Sequence, residues 1–270
     1  MKANYKKDFE KAFEKLAYKH GHFQVFENFL DCAINGFCFN YCPDTMESIR
    51  KRYTQDERYI FGELIKLWIL ICNEEIKSYT SFFDFFGNFY EANAMSKQKG
   101  FAQYFTPEHV CKLMVELTGT SENDKTMHEP ACGSGRFNLA KHAQNPKLFH
   151  HANDIDFTCV KMSALNFMMH GIKGVVTCDD ALNRPGKAFR SAFIVNDTIA
   201  PSLYFTNDYH FTNNYINQKL NNDFPTKIKK ALELLKEPHE AENEQKTTEN
   251  EPILQDIEQN INQNGQISLF

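Results

Sequence analysis

The sequence predicts an α/β protein in which a parallel, doubly wound sheet follows an all-helical region. Up to about residue 95, apolar residues recur at helical spacing, as Phe9, Phe13 and Leu16 do. From about residue 100, short apolar runs alternate with helical periods, which is typical of parallel sheets. We therefore expect three parts: a helical region over residues 1–95, an incomplete α/β domain over residues 96–236, and a tail over residues 237–270.

The helical region ends in a segment that is unusually rich in aromatic residues. One helix is expected around Phe26 and Ile34, and another over residues 56–78 around Trp68. The aromatic residues that follow are Phe82, Phe83, Phe85, Phe86, Phe89 and Tyr90. Aromatic side chains are usually buried, so core packing is the first interpretation, and a base-stacking platform is the alternative.

The α/β region has strand and helix patterns in regular alternation. Strands are predicted at 126–129, 148–153, 174–178 and 192–195, and helices at 136–143 and 157–170. Ligands of such sheets bind at the carboxyl ends of the strands. A short Lys-rich helix is expected after Pro225.

Charge and cysteine content indicate a cytoplasmic protein. The formal net charge of the 270 residues is -5, but the tail from Glu237 is strongly acidic, so the rest of the chain is close to neutral. The tail composition predicts disorder. Eight cysteines without paired spacing predict reduced thiols and no zinc site. The longest strongly apolar run, residues 67–72, is far shorter than a membrane span, so no membrane association is expected.

A glycine-containing loop between the first predicted strand and its helix is the most informative segment. Residues 129–137 read Glu-Pro-Ala-Cys-Gly-Ser-Gly-Arg-Phe. Gly133 and Gly135 permit a tight turn, and the helix start offers free N–H groups to a ligand. Asp154 ends the next strand, where a carboxylate can accept hydrogen bonds from ribose hydroxyls, and Asp180 follows the third strand. Together these strand ends predict a nucleoside pocket.

A second motif, taken together with the glycine loop, gives a specific resemblance to a known protein family. Residues 105–110 read Phe-Thr-Pro-Glu-His-Val, and with Pro-Ala-Cys-Gly-Ser-Gly-Arg-Phe they resemble the adenine-specific (N6) DNA methyltransferases that serve as modification subunits of type I restriction-modification systems. The resemblance covers about residues 100–195. It implies a Rossmann-like methyltransferase domain, S-adenosylmethionine as cofactor, DNA as substrate, and a specificity subunit or partner methylase.

The resemblance also implies roles for individual residues. Phe105 and its neighbours would lie near the methionine moiety of the cofactor, the Gly133 loop around its amino and carboxylate groups, and Asp154 on the ribose. Ile155 would contact the adenine face, and Asp180 its amino group. The full set of expected cofactor-binding residues is Tyr104, Phe105, Thr106, Pro107, Glu129, Ala131, Gly133, Gly135, Asp154, Ile155 and Asp180.

Two other interpretations remain for these motifs. Thr106 and Pro107 also suit a helix start, with Thr106 as N-cap and Pro107 as the first helical residue. A glycine turn followed by an acid is also used for NAD or FAD. The loop lacks the third glycine of the dinucleotide fingerprint, however, because Asn138 stands there.

The catalytic segment departs from the family pattern of Asn-Pro-Pro-Tyr or Asn-Pro-Pro-Phe. After the fourth strand the chain reads Asn196-Asp197-Thr198-Ile199. Either Asn196 and Asp197 accept hydrogen bonds from the target amino group while Tyr204 or Phe205 stacks on the flipped base, or the protein binds the cofactor without transferring methyl groups. The sequence therefore predicts an adenine methyltransferase that is impaired or partner-dependent, with a non-catalytic adaptor as the alternative.

The last five residues form a separate signal. Gln266, Ile267, Ser268, Leu269 and Phe270 resemble the short motif with which bacterial replication and repair proteins bind the sliding clamp. Two apolar anchors and one amide at the end of a disordered tether can insert into a surface groove. The sequence thus predicts the clamp as a partner.

Overall fold

The computed structural model describes residues 4–38, 40–78, 80–93, 104–119, 121, 124–184, 186–197 and 201–221, without the side chains of 220 and 221. The helix predicted after Pro225, the acidic tail and the terminal pentapeptide lie outside the described residues. Residues up to Leu220 form one compact unit.

Most of the described residues up to Asn93 lie in five helices. They are α1 (Tyr5–His20), α2 (His22–Phe37), α3 (Pro43–Arg52), α4 (Gln55–Glu75) and α5 (Phe85–Ala92). A capping box explains the start of α4, because the Thr54 side chain accepts from the Glu57 N–H while the Glu57 carboxylate accepts from the Thr54 N–H. Thus α4 begins one residue earlier than predicted and ends three residues earlier.

The aromatic segment before the sheet is part of the helical core. Phe85 and Phe86 are buried. The ring centroid of Phe85 lies 5.1 Å from that of Phe9 on α1, and that of Phe86 lies 5.2 Å from that of Trp68 on α4. The Phe9–Phe85 pair is edge-to-face and the Trp68–Phe86 pair is tilted, and aromatic contacts at these separations add to the hydrophobic gain from burial. The core-packing interpretation of this segment is therefore confirmed.

The α/β part begins with α6 (Glu108–Thr118) and continues through β1 (Thr126–Glu129), α7 (Arg136–Gln144), β2 (Phe149–Asp154), α8 (Phe157–His170), β3 (Gly174–Cys178), β4 (Ser191–Val195), β5 (Leu203–Thr206) and α9 (Tyr209–Asn221). Pro107, not Thr106, is the N-cap of α6. The strands lie in the order β1-β2-β3-β4-β5. The first three strands are parallel to one another, whereas β3–β4 and β4–β5 are antiparallel.

The expectation of a parallel fourth strand is wrong. Parallel neighbours need a crossover, usually a helix, as α7 and α8 provide for the first three strands. The described residues between β3 and β4 form turns instead, so β4 returns alongside β3 in the opposite direction. The described sheet is also not doubly wound. The strand order never reverses, and the His150 ring contacts both His142 of α7 and Phe167 of α8, which places both crossover helices on one face.

Side-chain alternation along β3 and β4 separates the two faces of the sheet. Val176 and Phe193 belong to the large core that includes α8 and the preceding helices. Val175 and Ile194 point the other way and pack with Ile216 of α9. The sheet therefore has helices on both faces, and β3 and β4 are buried along their whole length because both of their faces are covered.

A buried ion pair ties the first helices to the α/β part. The Lys161 ammonium on α8 lies 2.8 Å from a Glu27 carboxylate oxygen and 2.9 Å from an Asp31 carboxylate oxygen, both on α2. The Lys161 side chain is 3% exposed, so its ammonium is desolvated and the carboxylates of Glu27 and Asp31 balance its charge. Among the helices described, none is long and apolar enough to cross a bilayer.

Candidate functional site

A pocket of about 340 Å³ opens at the carboxyl ends of β1 and β2. This volume is in the range of small-molecule sites, roughly 300–1,000 Å³. The position agrees with the rule that α/β sheets bind ligands at the ends of their parallel strands. The lining residues are Tyr104, Phe105, Thr106, Met114, Glu129, Ala131, Cys132, Gly133, Arg136, Phe137, Asp154 and Cys159.

The glycine loop brings the backbone close to this pocket. Gly133 and Gly135 have φ values of +57° and +83°, which favour glycine. A Cβ atom on Gly133 would lie 2.7 Å from a ring carbon of Phe105, and one on Gly135 would lie 3.0 Å from the Ser163 hydroxyl. The Gly133 carbonyl accepts a hydrogen bond from that hydroxyl at 2.8 Å. The two glycines are thus needed for both backbone conformation and space.

The loop and the carboxylate of Asp154 meet, as the sequence predicts. The Gly133 N–H donates to Asp154 Oδ2 at 2.8 Å, and the Asp156 N–H donates to Asp154 Oδ1 at 2.8 Å. These two backbone bonds fix the orientation of the carboxylate, which is only half-buried and lines the pocket. Asp154 therefore presents a fixed pair of acceptors to a ligand.

Glu129 adds a second carboxylate to the same pocket. It is the last residue of β1, and its side chain accepts from the Ala131 N–H at 3.4 Å. Burial raises the pKa of Glu129, and the nearby charge of Asp154 raises it further, although the bond from Ala131 opposes this. Of the charged residues that line the pocket, Arg136 is paired with Asp84 and Glu91, so the carboxylates of Glu129 and Asp154 leave the polar side acidic, which suits a ligand with hydroxyl groups or a positive charge.

The segment before α6 forms the aromatic side of the pocket. Phe105 is buried, and its ring lies against Gly133 and 5.6 Å from the Tyr90 ring centroid. Tyr104 is 81% exposed at the pocket rim. The structure thus brings Tyr104, Phe105 and Thr106 to the pocket, together with the loop residues and Asp154.

Four of the predicted cofactor residues are not among the lining residues. Pro107 is the N-cap of α6, and Gly135 packs closely against Ser163 and Phe167 of α8. Ile155 follows Asp154 and is 60% exposed. Asp180 lies beyond β3, where its Oδ1 accepts from the Leu182 N–H at 3.0 Å. Because Asp154 and Cys178 pair as the last residues of β2 and β3, Ile155 and Asp180 both lie at the carboxyl ends of these strands, the end of the sheet where the pocket opens.

Sequence reasoning missed five of the lining residues. Cys132, Arg136 and Phe137 stand inside the motif that located the loop, so that motif was the available signal. Met114 and Cys159 come from the helices α6 and α8. Amphipathic periodicity identifies a buried helix face, but it does not show which buried residue borders a cavity.

The structure does not bring Asn196 to the pocket. Because β4 is antiparallel to β3, Val195 pairs with Gly174, the first residue of β3. Asn196 therefore lies at the opposite end of the sheet, roughly 13–16 Å along the strand from the carboxyl end of β3. Its side chain is buried and bonds to backbone groups around the end of α8.

Asp197 and Tyr204 are also placed away from the pocket. Asp197 Oδ1 accepts from the Tyr215 hydroxyl at 2.5 Å and from the Lys219 ammonium at 2.8 Å. Burial raises the pKa of Asp197, but these two bonds outweigh burial and lower it. Tyr204 lies on β5, the sheet edge opposite β1, with its ring centroid 5.8 Å from that of Phe211.

Comparison with known proteins identifies the family. The family model described as N-6 DNA methylase matches residues 81–267, which is more than half of the chain. The match includes α5, the glycine loop, Asp154 and the whole described sheet. No solved structure matches the chain. The chain therefore belongs to the N-6 DNA methylase family.

Proposed function

We propose that the chain binds S-adenosylmethionine in the pocket at the ends of β1 and β2 and takes part in methylating adenine N6 in DNA. The observation that carries this proposal is the 2.8 Å bond between the Gly133 N–H and Asp154, which joins the two predicted halves of the site. Family membership supports DNA adenine as the methyl acceptor. The three parallel strands with their two crossover helices support a Rossmann-like arrangement for this part of the sheet.

The residues present suit such a cofactor. Asp154 would accept hydrogen bonds from the ribose hydroxyls, with Ile155 against the adenine face and Asp180 toward its amino group. Glu129 and the backbone of the Gly133 loop would hold the charged amino acid end, a role in which the acidic character of the pocket favours the ammonium and sulfonium charges. Tyr104, Phe105, Thr106 and Pro107 would enclose the methionine end, and Ala131 and Gly135 would shape the loop.

When bound, the cofactor would supply a sulfonium methyl group for in-line transfer to adenine N6: a nitrogen–carbon bond would form as the carbon–sulfur bond breaks, the electron pair of that bond would stay on sulfur, and the amino group would release one proton to water. The chain contributes by orienting both reactants and excluding water. An acceptor near the target amino group should draw out its nitrogen electron density. Asn196 and Asp197 do not supply this acceptor in the arrangement described, since they lie at the other end of the sheet.

We therefore propose that transfer is partner-dependent. A specificity subunit or partner methylase of a restriction-modification system would contribute target recognition and the missing acceptor, and the complex would act in the cytoplasm. The alternative is a non-catalytic adaptor that keeps the cofactor fold and binds the sliding clamp through Gln266, Ile267, Ser268, Leu269 and Phe270. The pentapeptide carries that alternative and lies outside the described residues.

Calorimetric titration with S-adenosylmethionine tests the cofactor site. We expect wild-type protein to bind, Asp154→Asn to bind at least tenfold more weakly, and Asp197→Asn to bind like wild type. Asp197 is the matched control because it is a strand-end aspartate remote from the pocket. No binding by wild type, or equal binding by all three proteins, would overturn the pocket assignment.

A labelled-methyl assay on mixed-sequence DNA tests the reaction. We expect transfer to adenine in extracts of the native source, where a partner is present, and little transfer by the purified chain. Binding of the cofactor without transfer in either preparation would favour the adaptor. In that case, deleting residues 266–270 should abolish co-purification with the clamp and leave cofactor affinity unchanged.

A further inference from the structure

A buried aspartate on the helical side of the molecule contacts the glycine loop. Asp84 is the N-cap of α5, and its side chain has no exposed surface. Oδ1 accepts from the Gly87 N–H at 2.8 Å and from Asn166 Nδ2 at 2.8 Å. Oδ2 accepts from the Ser134 hydroxyl at 2.6 Å and from Arg136 Nε at 2.9 Å. One carboxylate thus joins α5, the loop and α8.

Arg136 extends this connection to the aromatic side of the pocket. Its Nη1 donates to the Thr106 carbonyl at 3.2 Å. Its Nη2 donates to Asn88 Oδ1 at 3.2 Å and to a Glu91 carboxylate oxygen at 3.0 Å. The other Glu91 oxygen accepts from the Phe105 N–H at 3.2 Å. Residues of α5 and its cap therefore hold both the loop and the Phe105–Thr106 segment.

The residues around the Asp84 carboxylate are closely packed. A Cβ atom on Gly87 would lie 2.0 Å from Asp84 Oδ2, so the close approach of α5 requires glycine there. The Arg136 side chain is 7% exposed. Burial disfavours its charged form, but Asp84 and Glu91 outweigh burial and raise the pKa of Arg136. A desolvated carboxylate with four directed donors is expected to hold those donors in place.

We propose that Asp84 is a positioning residue for the cofactor site: its charge holds Ser134 and Arg136, and through them the loop of residues 132–136, in the shape that binds the cofactor. Asp84 itself does not line the pocket and acts through the loop. The inference rests on the proposed function for its ligand, although its effect on the loop is independent of any ligand. It makes the helical region a required part of the site.

The test compares Asp84→Asn with wild type in the full chain. Asparagine keeps the shape and remains a good N-cap, so the variant removes charge and replaces one acceptor by a donor. We expect the dissociation constant for S-adenosylmethionine to rise at least tenfold. Without cofactor, we expect amide hydrogen exchange in residues 130–137 to accelerate at least tenfold while exchange in α1 and α4 stays unchanged.

Asp31→Asn is the matched control. Asp31 is also a buried helical carboxylate, and it accepts from the Tyr41 hydroxyl at 2.7 Å and the Lys161 ammonium at 2.9 Å, with no bond to the loop in the described residues. This variant should lose comparable stability while leaving cofactor affinity and exchange in residues 130–137 unchanged. A merely structural role for Asp84 would make both variants behave alike.

The outcomes separate this inference from the proposed function. Unchanged affinity and unchanged loop exchange in Asp84→Asn would overturn the positioning role. If wild type binds no cofactor, the proposed function fails, and loop exchange alone decides the inference. If Asp84→Asn does not fold, Ser134→Ala replaces it, because it removes one bond to Asp84 and keeps the Arg136 ion pair. That variant should show faster loop exchange, and unchanged exchange would refute the proposal.

Discussion

Replacing Asn196 by alanine tests whether this residue supports the fold or the chemistry. Its Nδ2 lies 3.2, 3.3 and 3.0 Å from the carbonyl oxygens of Phe167, Met168 and Ile172, where α8 ends. Its Oδ1 accepts from the Ser202 N–H at 3.1 Å, one residue before β5 begins. Asn196 is 1% exposed, so water cannot replace these partners in the intact structure.

The expected loss of stability follows from these contacts. Two N–H donors and one acceptor are removed from buried backbone partners, at about 1 kcal/mol for each bond. Asn196 also has a φ of +52°, a left-handed conformation that asparagine tolerates and that costs other residues about 1 kcal/mol. The total is about 4 kcal/mol. In a unit of this size that corresponds to a fall in Tm of roughly 8–16 °C.

Thermal unfolding measures this change, and calorimetric titration with S-adenosylmethionine accompanies it. We expect Asn196→Ala to lose stability while cofactor affinity of the folded protein stays unchanged, because Asn196 is at the opposite end of the sheet from the pocket. Exposed Asn207 is the matched control, and Asn207→Ala should change stability by less than about 0.5 kcal/mol. An Asn196→Ala protein with unchanged Tm that supports no methyl transfer with its partner present, where wild type does, would refute the structural role and restore the catalytic one.

Three further predictions concern the core and the loop. Burial lowers the pKa of His142 to about 4 and that of His150 to about 3, so the folded state resists protonation. The stability that these residues contribute is present above their unfolded pKa of about 6.5 and is lost as the pH falls below it; these two alone should remove roughly 3 kcal/mol between pH 7.5 and pH 5.5 in urea unfolding. A flat profile would contradict the burial of neutral imidazoles. Gly133→Ala should weaken cofactor binding at least tenfold by calorimetry, since its Cβ would collide with the Phe105 ring; equal affinity would show that the ring moves aside. Lys161→Met should lose about 3–5 kcal/mol in urea unfolding, because two acids of α2 lose their buried partner, and a stable variant would mean that this pair contributes little.

Much of the α/β part was predictable because its signals are local. Arg136 starts α7 and His170 ends α8, as the sequence predicts, since glycine turns and the Asp156 N-cap mark these boundaries. The pairing of Gly133 with Asp154 was also predictable. Consecutive parallel strands with short loops place their carboxyl ends side by side, so the order of motifs along the chain becomes proximity in space.

The direction of β4 was not predictable from its residues. An apolar run such as residues 191–195 reads alike in a parallel or an antiparallel position, because both faces are buried. The described turns after β3, rather than a helix, decided the direction of β4. That direction then decided that the Asn196 side chain donates to carbonyls near the end of α8 instead of reaching the pocket. Neither result has a signature in the strand itself.

The amino-acid sequence by itself determined the glycine loop, the acid that meets it and the family, because each depends on residue types at short spacing. Only the tertiary structure decided that Asp84 accepts a hydrogen bond from Ser134 of that loop, 50 residues along the chain, and that Asn196 and Tyr204 lie away from the pocket. Those contacts join segments that are far apart in the sequence and leave no local pattern of residue types. They form only when packing brings the segments together.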